Sequence, residues 1–189
     1  LGKRKDYGKQ AILPHNVPFV LLGAGLLWFG WVGFNAGSAW AANGLAGLAL
    51  ANTFFAPMAT LVVWTLLDFG RTKKVTAVGA ATAIVVGLVA VTPAAGFVSP
   101  MNALLIGAIA AFPSYFGILW RSRSGLDDSL DVVAAHGLGG ITGALLTGVF
   151  ADISLNSAGA NGLLFGNPGQ LGIQAGAIAV AMIYSLVVS

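Results

Sequence analysis

The sequence contains no cysteine. That excludes a disulfide, a thiolate metal site and a thiol redox centre. Charge is scarce as well: 8% of the residues are charged, against about 25% in soluble domains. So few charges cannot cover a globule in water, and a bilayer is the solvent that suits this chain. No P-loop, GxSxG, HExxH or CxxC motif occurs, and no nucleophile–base pair suggests an enzyme. The aspartates have no second His or Glu at ligand spacing, which argues against a metal centre, and no cofactor is implied. No basic–aromatic surface points to nucleic acid. The first nine residues are mostly polar and basic, without a cleavable signal peptide behind them. The chain begins without Met and ends at Ser189 inside an apolar run. It therefore reads as a single membrane-domain fragment, residues 1–189, of a longer protein.

What the chain has instead is apolar length. Hydrophobic residues make up 57%. A hydrocarbon core of about 30 Å needs about 20 apolar residues as a helix. Six stretches answer to that: 18–37, 41–67, 75–93, 101–120, 129–150 and 172–189. The connectors are short except 152–171, which is rich in Gly, Asn and Ser and reads as a loop. The nine basic residues fall in three places: Lys3, Arg4, Lys5 and Lys9; Arg71, Lys73 and Lys74; Arg121 and Arg123. These are the leader and the loops after the second and fourth spans. Alternate loops share a side, so all the positive charge lies on one side, and the positive-inside rule makes that side the cytoplasm. Trp120 beside Arg121 suits an interface anchor. The 27 glycines include Gly33-x-x-x-Gly37, Gly139-x-x-x-Gly143 and the run Gly140, Ala144, Gly148. Small residues at that spacing let membrane helices approach closely.

Within this apolar background a few polar groups stand out. His136 lies in the fifth span. Counted from Ser129 it sits seven residues along a helix, a rise of about 10 Å. An ionisable group at such depth is a functional candidate. A ring kept neutral there would donate from one nitrogen and accept at the other. Val132, Gly139, Gly140 and Gly143 share its helical face and leave room for either a partner backbone or a narrow conduit. Asp127 and Asp128 stand where a helix start favours anions, so both are expected as caps. Asp131 is deeper; it could bond nearby backbone or tune the cytoplasmic mouth. In the first span Trp31, Phe34 and Ser38 fall at i, i+3 and i+7, one face ordered ring, ring, hydroxyl. A hydroxyl acceptor beside π faces suits a small cation losing its water. Asn35 is expected to bond across helices. Asn16 can cap the first span, and His15 beside it reads as structural. Thr92 ends the third span, either lining a pore or as a satisfied hydroxyl.

The segments PHNVP, GWVGFNAGS, VTPAAG and DDSLDVVAAHGLGGITGALLTGVF resemble, in order and spacing, the ammonium transporter (Amt/Rh) family, Amt branch. The likeness covers nearly the whole chain. It implies an all-α polytopic bundle: helices six to eleven of an eleven-helix fold built from two inverted repeats around a pore. By this resemblance His136 is the second of twin pore histidines and Phe34 one of two stacked gating phenylalanines. Ser38 is the hydroxyl of an outer ammonium recruitment site, Trp31 a pore-lining tryptophan, and Val132 a residue of the inner pore wall. Asp128 and Asp131 match acids that support the inner end of that helix. The resemblance further implies that ammonium is recruited and deprotonated, and that ammonia crosses a hydrophobic pore. The expected partners are membrane lipids, two further copies in a homotrimer and a possible PII-type regulatory protein on the cytoplasmic side. The alternative is an ammonium sensor fused to a signalling domain. The first histidine, the partner phenylalanine and the recruitment tryptophan belong to helices outside these 189 residues.

Overall fold

The computed structural model describes residues 3–5, 7 and 14–188, so Lys9 and Ser189 lie outside the described residues. The described residues are helical, with no strand among them. The helices are α1 (Val17–Gly37), α2 (Gly44–Thr72), α3 (Ala77–Val91), α4 (Pro100–Arg123), a π-helical segment (Val133–Leu138) that runs into α5 (Gly139–Phe150), and α6 (Gly169–Val188). A single 3-10 turn, Leu163–Phe165, interrupts the loop before α6.

Local chemistry sets most of these boundaries. Asn16, Asn43, Thr76 and Ser99 each occupy an N-cap, with the side-chain oxygen accepting a backbone N–H of the first turn. Such caps are each worth about 1 kcal/mol. Pro18 and Pro100 sit in first turns, where the missing N–H costs nothing. Lys73 closes α2 in the left-handed conformation, φ +57°, and its N–H reaches the Phe69 carbonyl.

α3 is shorter than the expected span 75–93. It has 15 residues, a rise of only about 22 Å. Thr76 starts it late and Pro93 ends it early: Thr92 still has helical angles, but proline has no N–H to carry the hydrogen-bond ladder further. The chain then turns tightly through 92–98, and Asn52 of α2 pins that turn: its amide donates to the carbonyls of Ala95 and Val98, both at 2.8 Å. α1, α4 and α6 lie within three residues of the stretches 18–37, 101–120 and 172–189, whereas α2 runs five residues past 67, to Thr72, and the fifth stretch departs at its start.

The centre is α2, α3 and α4, packed through small residues. Ala56, Ala83, Ala90, Ala103 and Ala110 are fully buried. A Cβ on Gly107 would overlap the Ala56 carbonyl, and one on Gly87 the backbone of Pro57. This is the close packing that small residues permit where lipid removes the hydrophobic drive between helices. α1 and α6 lie outside it: α1 buries only Ala24 and Asn35, and α6 buries none of its described residues. The glycine pairs divide accordingly. Gly139 and Gly143 pack on α3, and Gly148 on the start of α6, whereas Gly33 and Gly37 meet nothing within 4 Å.

Candidate functional site: two cavities toward opposite ends of the bundle

The described basic residues gather at one end of the bundle. Arg4 pairs with Asp127 at 3.2 Å, Arg121 pairs with Asp131 at 2.6 Å, and Arg71, Thr76 and Asp131 line one cavity. Tyr7 donates to the Leu126 carbonyl at 3.0 Å, which holds the leader on the α4–α5 connection. The opposite end holds Ser38 and the 92–98 turn, tied to the loop after α5 by the Asp152 N–H on the Phe97 carbonyl, 2.9 Å.

At that opposite end, the face expected on the first span is present. Trp31 and Phe34 meet edge to face, centroids 6.1 Å apart and planes at 75°. Ser38 Oγ donates to the Phe34 carbonyl at 2.6 Å, so its hydrogen is committed and its lone pairs are left to accept. Trp31 Nε1 donates to Thr92 Oγ1 at 2.8 Å, and Thr92 donates in turn to the Leu88 carbonyl at 2.7 Å. The Thr92 hydroxyl is therefore satisfied, and it holds the Trp31 ring. Asn35 bonds across to Thr53 Oγ1 at 3.1 Å, as expected. Phe34, Asn35, Ser38, Thr92, Gly96 and Asn156 line a cavity of about 300 Å³. Asn156 had no signal in the sequence, because the loop that carries it reads as featureless. Asn52 and its grip on the turn were missed too, though a lone amide in an apolar helix is such a signal.

At the basic end the fifth span departs from expectation. Ser129 and Leu130 form a turn, and Asp131 has φ +55°, a left-handed conformation that costs about 1 kcal/mol for a residue with a Cβ. Helix begins only at Val132, so His136 stands near the helix start rather than seven residues along it. The two expected caps separate. Asp128 does cap: its two carboxylate oxygens accept the N–H groups of Val132 at 3.0 Å and Val133 at 2.8 Å. Asp127 does not; it accepts the Arg4 N–H at 2.9 Å and pairs with the Arg4 guanidinium, because the leader reaches it first. Asp131 holds a side chain of α4 rather than nearby backbone: Arg121 Nε donates to it at 2.7 Å.

His136 lies within the π-helical segment, exposed on its open side. No hydrogen-bond partner for its ring is present among the described residues. It lines a cavity of about 340 Å³ with Val132, with Gly23 and Leu27 of α1, and with Thr82 and Val85 of α3. Gly139, Gly140 and Gly143 do not share that cavity. Gly139 and Gly140 face side chains, Ser114 of α4 and Val89 of α3, and Gly143 faces the Ala90 backbone, so the room they leave is filled by neighbouring helices and not by a conduit. π-Helical turns are rare and concentrate at functional sites. Within this one His136 is exposed toward the cavity while Ala134 is buried.

The fold and this wall define a class, a polytopic helical membrane protein with a cavity-lining histidine. The chain belongs to the ammonium transporter family: the sequence model of the Ammonium Transporter Family matches residues 1–189. It is 48% identical over its full length to the ammonium transporter of Aquifex aeolicus, covering 44% of that protein. It is 43% identical to the ammonium transporter of Bacillus subtilis, covering 46% of it. Among solved structures it matches Saccharomyces cerevisiae Mep2 with a TM-score of 0.89 and 35% identity, over 93% of this chain and 40% of that one. It matches a protein described as a sensor Amt protein with a TM-score of 0.85 and 33% identity, over 98% of this chain and 45% of that one. The relatives are named as transporters and not as enzymes. The chain spans about half the length of the curated relatives it matches.

Proposed function

We infer that these residues form one half of a pathway for ammonium or ammonia across a membrane, completed by the half of the family fold that lies outside them. The observation that carries this is the His136 ring, free of protein hydrogen bonds among the described residues, on a largely apolar cavity wall where the Thr82 hydroxyl is committed to the Val78 carbonyl. A ring so placed can accept a hydrogen bond from ammonia or pass a proton, and the apolar wall rejects a hydrated cation such as potassium. In this reading Ser38 supplies a lone-pair acceptor for ammonium and Phe34 and Trp31 supply π faces. Ammonium is recruited there and gives up a proton, which the neutral His136 ring can accept and pass on, and ammonia passes Val132 and His136. Thr92 acts through Trp31, and Asp128 and Asp131 hold the inner helix start. The basic end faces the cytoplasm by the positive-inside rule. The working assembly is a homotrimer in a bacterial or archaeal plasma membrane, and a PII-type regulator could bind its cytoplasmic face.

The test uses the complete protein reconstituted in liposomes. His136→Leu is expected to lower ammonium flux or to admit potassium. Wild-type flux and selectivity in that variant sink the role given to His136. The likeness to the sensor Amt protein supports a second reading, in which occupancy of the Phe34–Ser38 site matters more than flux. Ammonium binding with no measurable flux through the intact protein would favour it.

A further inference from the structure

Asp131, left-handed at the bend, is ion-paired to a residue of another helix. Arg121, at the basic end of α4, places two guanidinium nitrogens on Asp131 Oδ1, at 2.7 and 2.6 Å. Both side chains are half-buried, 24% exposed each, where an ion pair is less screened than at an open surface. Residues held in sparsely populated backbone regions persist only when their surroundings over-determine them.

The π-helical segment, with His136 inside it, begins two residues after the bend, at Val133. Its sequence, VAAHGL, contains no proline to force the wider turn. Asp128 satisfies the first two N–H groups, but an ordinary α-helical start would accept the same cap. The Asp131 carbonyl meanwhile accepts the Ala135 N–H at 2.8 Å, so the bent residue is itself part of the segment's first turn. Nothing among the described residues bonds the His136 ring. Its direction is set by the backbone, and whatever holds the register of residues 133–138 aims the ring.

We propose that Arg121 is a positioning residue. Through its ion pair with Asp131 it holds the bend that starts the π-helical segment, and so keeps His136 turned into the cavity between α1 and α3. The last step rests on the pore reading of His136; the first does not.

The experiment measures amide hydrogen exchange of the complete protein in a bilayer mimic, for Arg121→Met and Arg121→Lys. Arg121→Met is expected to speed exchange across residues 133–138 about tenfold while α5 beyond Gly143 stays within about twofold. Lysine keeps a cation in reach of Asp131 and is expected to retain most of the protection. Should Arg121→Met fail to assemble, Asp131→Gly carries the test: glycine adopts the positive φ freely and deletes the carboxylate, and the same local loosening is expected. Unchanged exchange at 133–138, or equal loosening of α3 and α5, overturns the proposal. In liposomes, Arg121→Met is expected to lower the maximal ammonium rate about fivefold with the half-saturating concentration unchanged, since only the inner wall is misaligned. Local loosening with unaltered transport overturns the link to His136. The exchange readout stands whether or not His136→Leu impairs transport, so the two readings fail separately.

Discussion

α1 and the segment from Asp127 to Phe150 supply the two ends of the same cavity-lined wall by opposite means. α1 is a regular helix for 21 residues, capped by Asn16, and its site is a stripe on one face. The later segment reaches its site through a turn, a left-handed aspartate and a π-helical start. α1 buries only Ala24 and Asn35, so side-chain hydrogen bonds from Trp28, Trp31 and Asn35 tie it to α2 and α3. The later segment is tied by backbone contact at Gly143, which lies against the Ala90 carbonyl of α3. A helix anchored by side chains tolerates replacement one contact at a time. A helix anchored by bare backbone does not.

The largest effect expected from this contrast is at Gly143. A Cβ there would overlap the Ala90 carbonyl of α3. Gly143→Ala must push two packed helices apart, at about 3 kcal/mol, and the thermal midpoint of the purified protein reads it. Gly140, one turn earlier, offers ordinary contact: its nearest neighbour would be Val89 Cγ1 at 3.7 Å. Gly140→Ala is expected to move stability by less than about 1 kcal/mol, the size of the helix-propensity difference itself. Equal losses at the two positions would break the assignment of this face to backbone packing.

Next in size is Asp128→Ala. It leaves two N–H groups at the start of the π-helical segment without their acceptor. A charged acceptor of this kind contributes about 2 kcal/mol. Asp127→Ala removes an ion pair at the leader, where Arg4 is 40% exposed, and is expected to cost under about 1 kcal/mol. The ranking Asp128 above Asp127, measured by denaturation, sharpens the division of labour between adjacent aspartates.

That division marks where the sequence stops being readable. Periodicity of 3.6 placed Trp31, Phe34 and Ser38 on one face, and they do meet, because α1 is regular. The caps at Asn16 and the proline boundary at Thr92 were legible for the same reason: each is a local rule. The same periodicity put Gly139, Gly140 and Gly143 on the face of His136, and they are elsewhere, because a π-helical turn changes the phase between residue 132 and residue 139. The partner choices of Asp127 and Asp131 were equally out of reach. Arg4 is 123 residues from Asp127 in the chain, and only the fold brings it there. The turn at 92–98 shows the middle case. VTPAAG announces a helix end, but nothing in it announces Asn52 as the residue that holds it.

Thr92→Val tests the side-chain anchoring of α1. It deletes the acceptor of Trp31 Nε1 at nearly constant volume. About 1 kcal/mol is expected to be lost. Trp31 fluorescence should broaden as the ring loses its fixed pose against Phe34. An unchanged Trp31 environment would mean that packing, not the hydrogen bond, sets the ring.

Ser38→Ala is expected to have the smallest effect on stability and a distinct one on function. The hydroxyl is exposed and bonds only the Phe34 carbonyl, one turn back on its own helix. Removing it should change stability by less than about 0.5 kcal/mol. If its lone pairs accept from ammonium, the half-saturating ammonium concentration of the complete protein rises about threefold or more while the maximal rate holds, the signature of a lost binding contact made equally before and during passage. Arg121→Met is expected to do the reverse, lowering the rate at constant half-saturation. The pair therefore tests the comparison as a whole: recruitment at the regular helix, passage at the π-helical one. A Ser38→Ala variant that lost rate at unchanged half-saturation would place the hydroxyl in the passage step and collapse the distinction between the two ends.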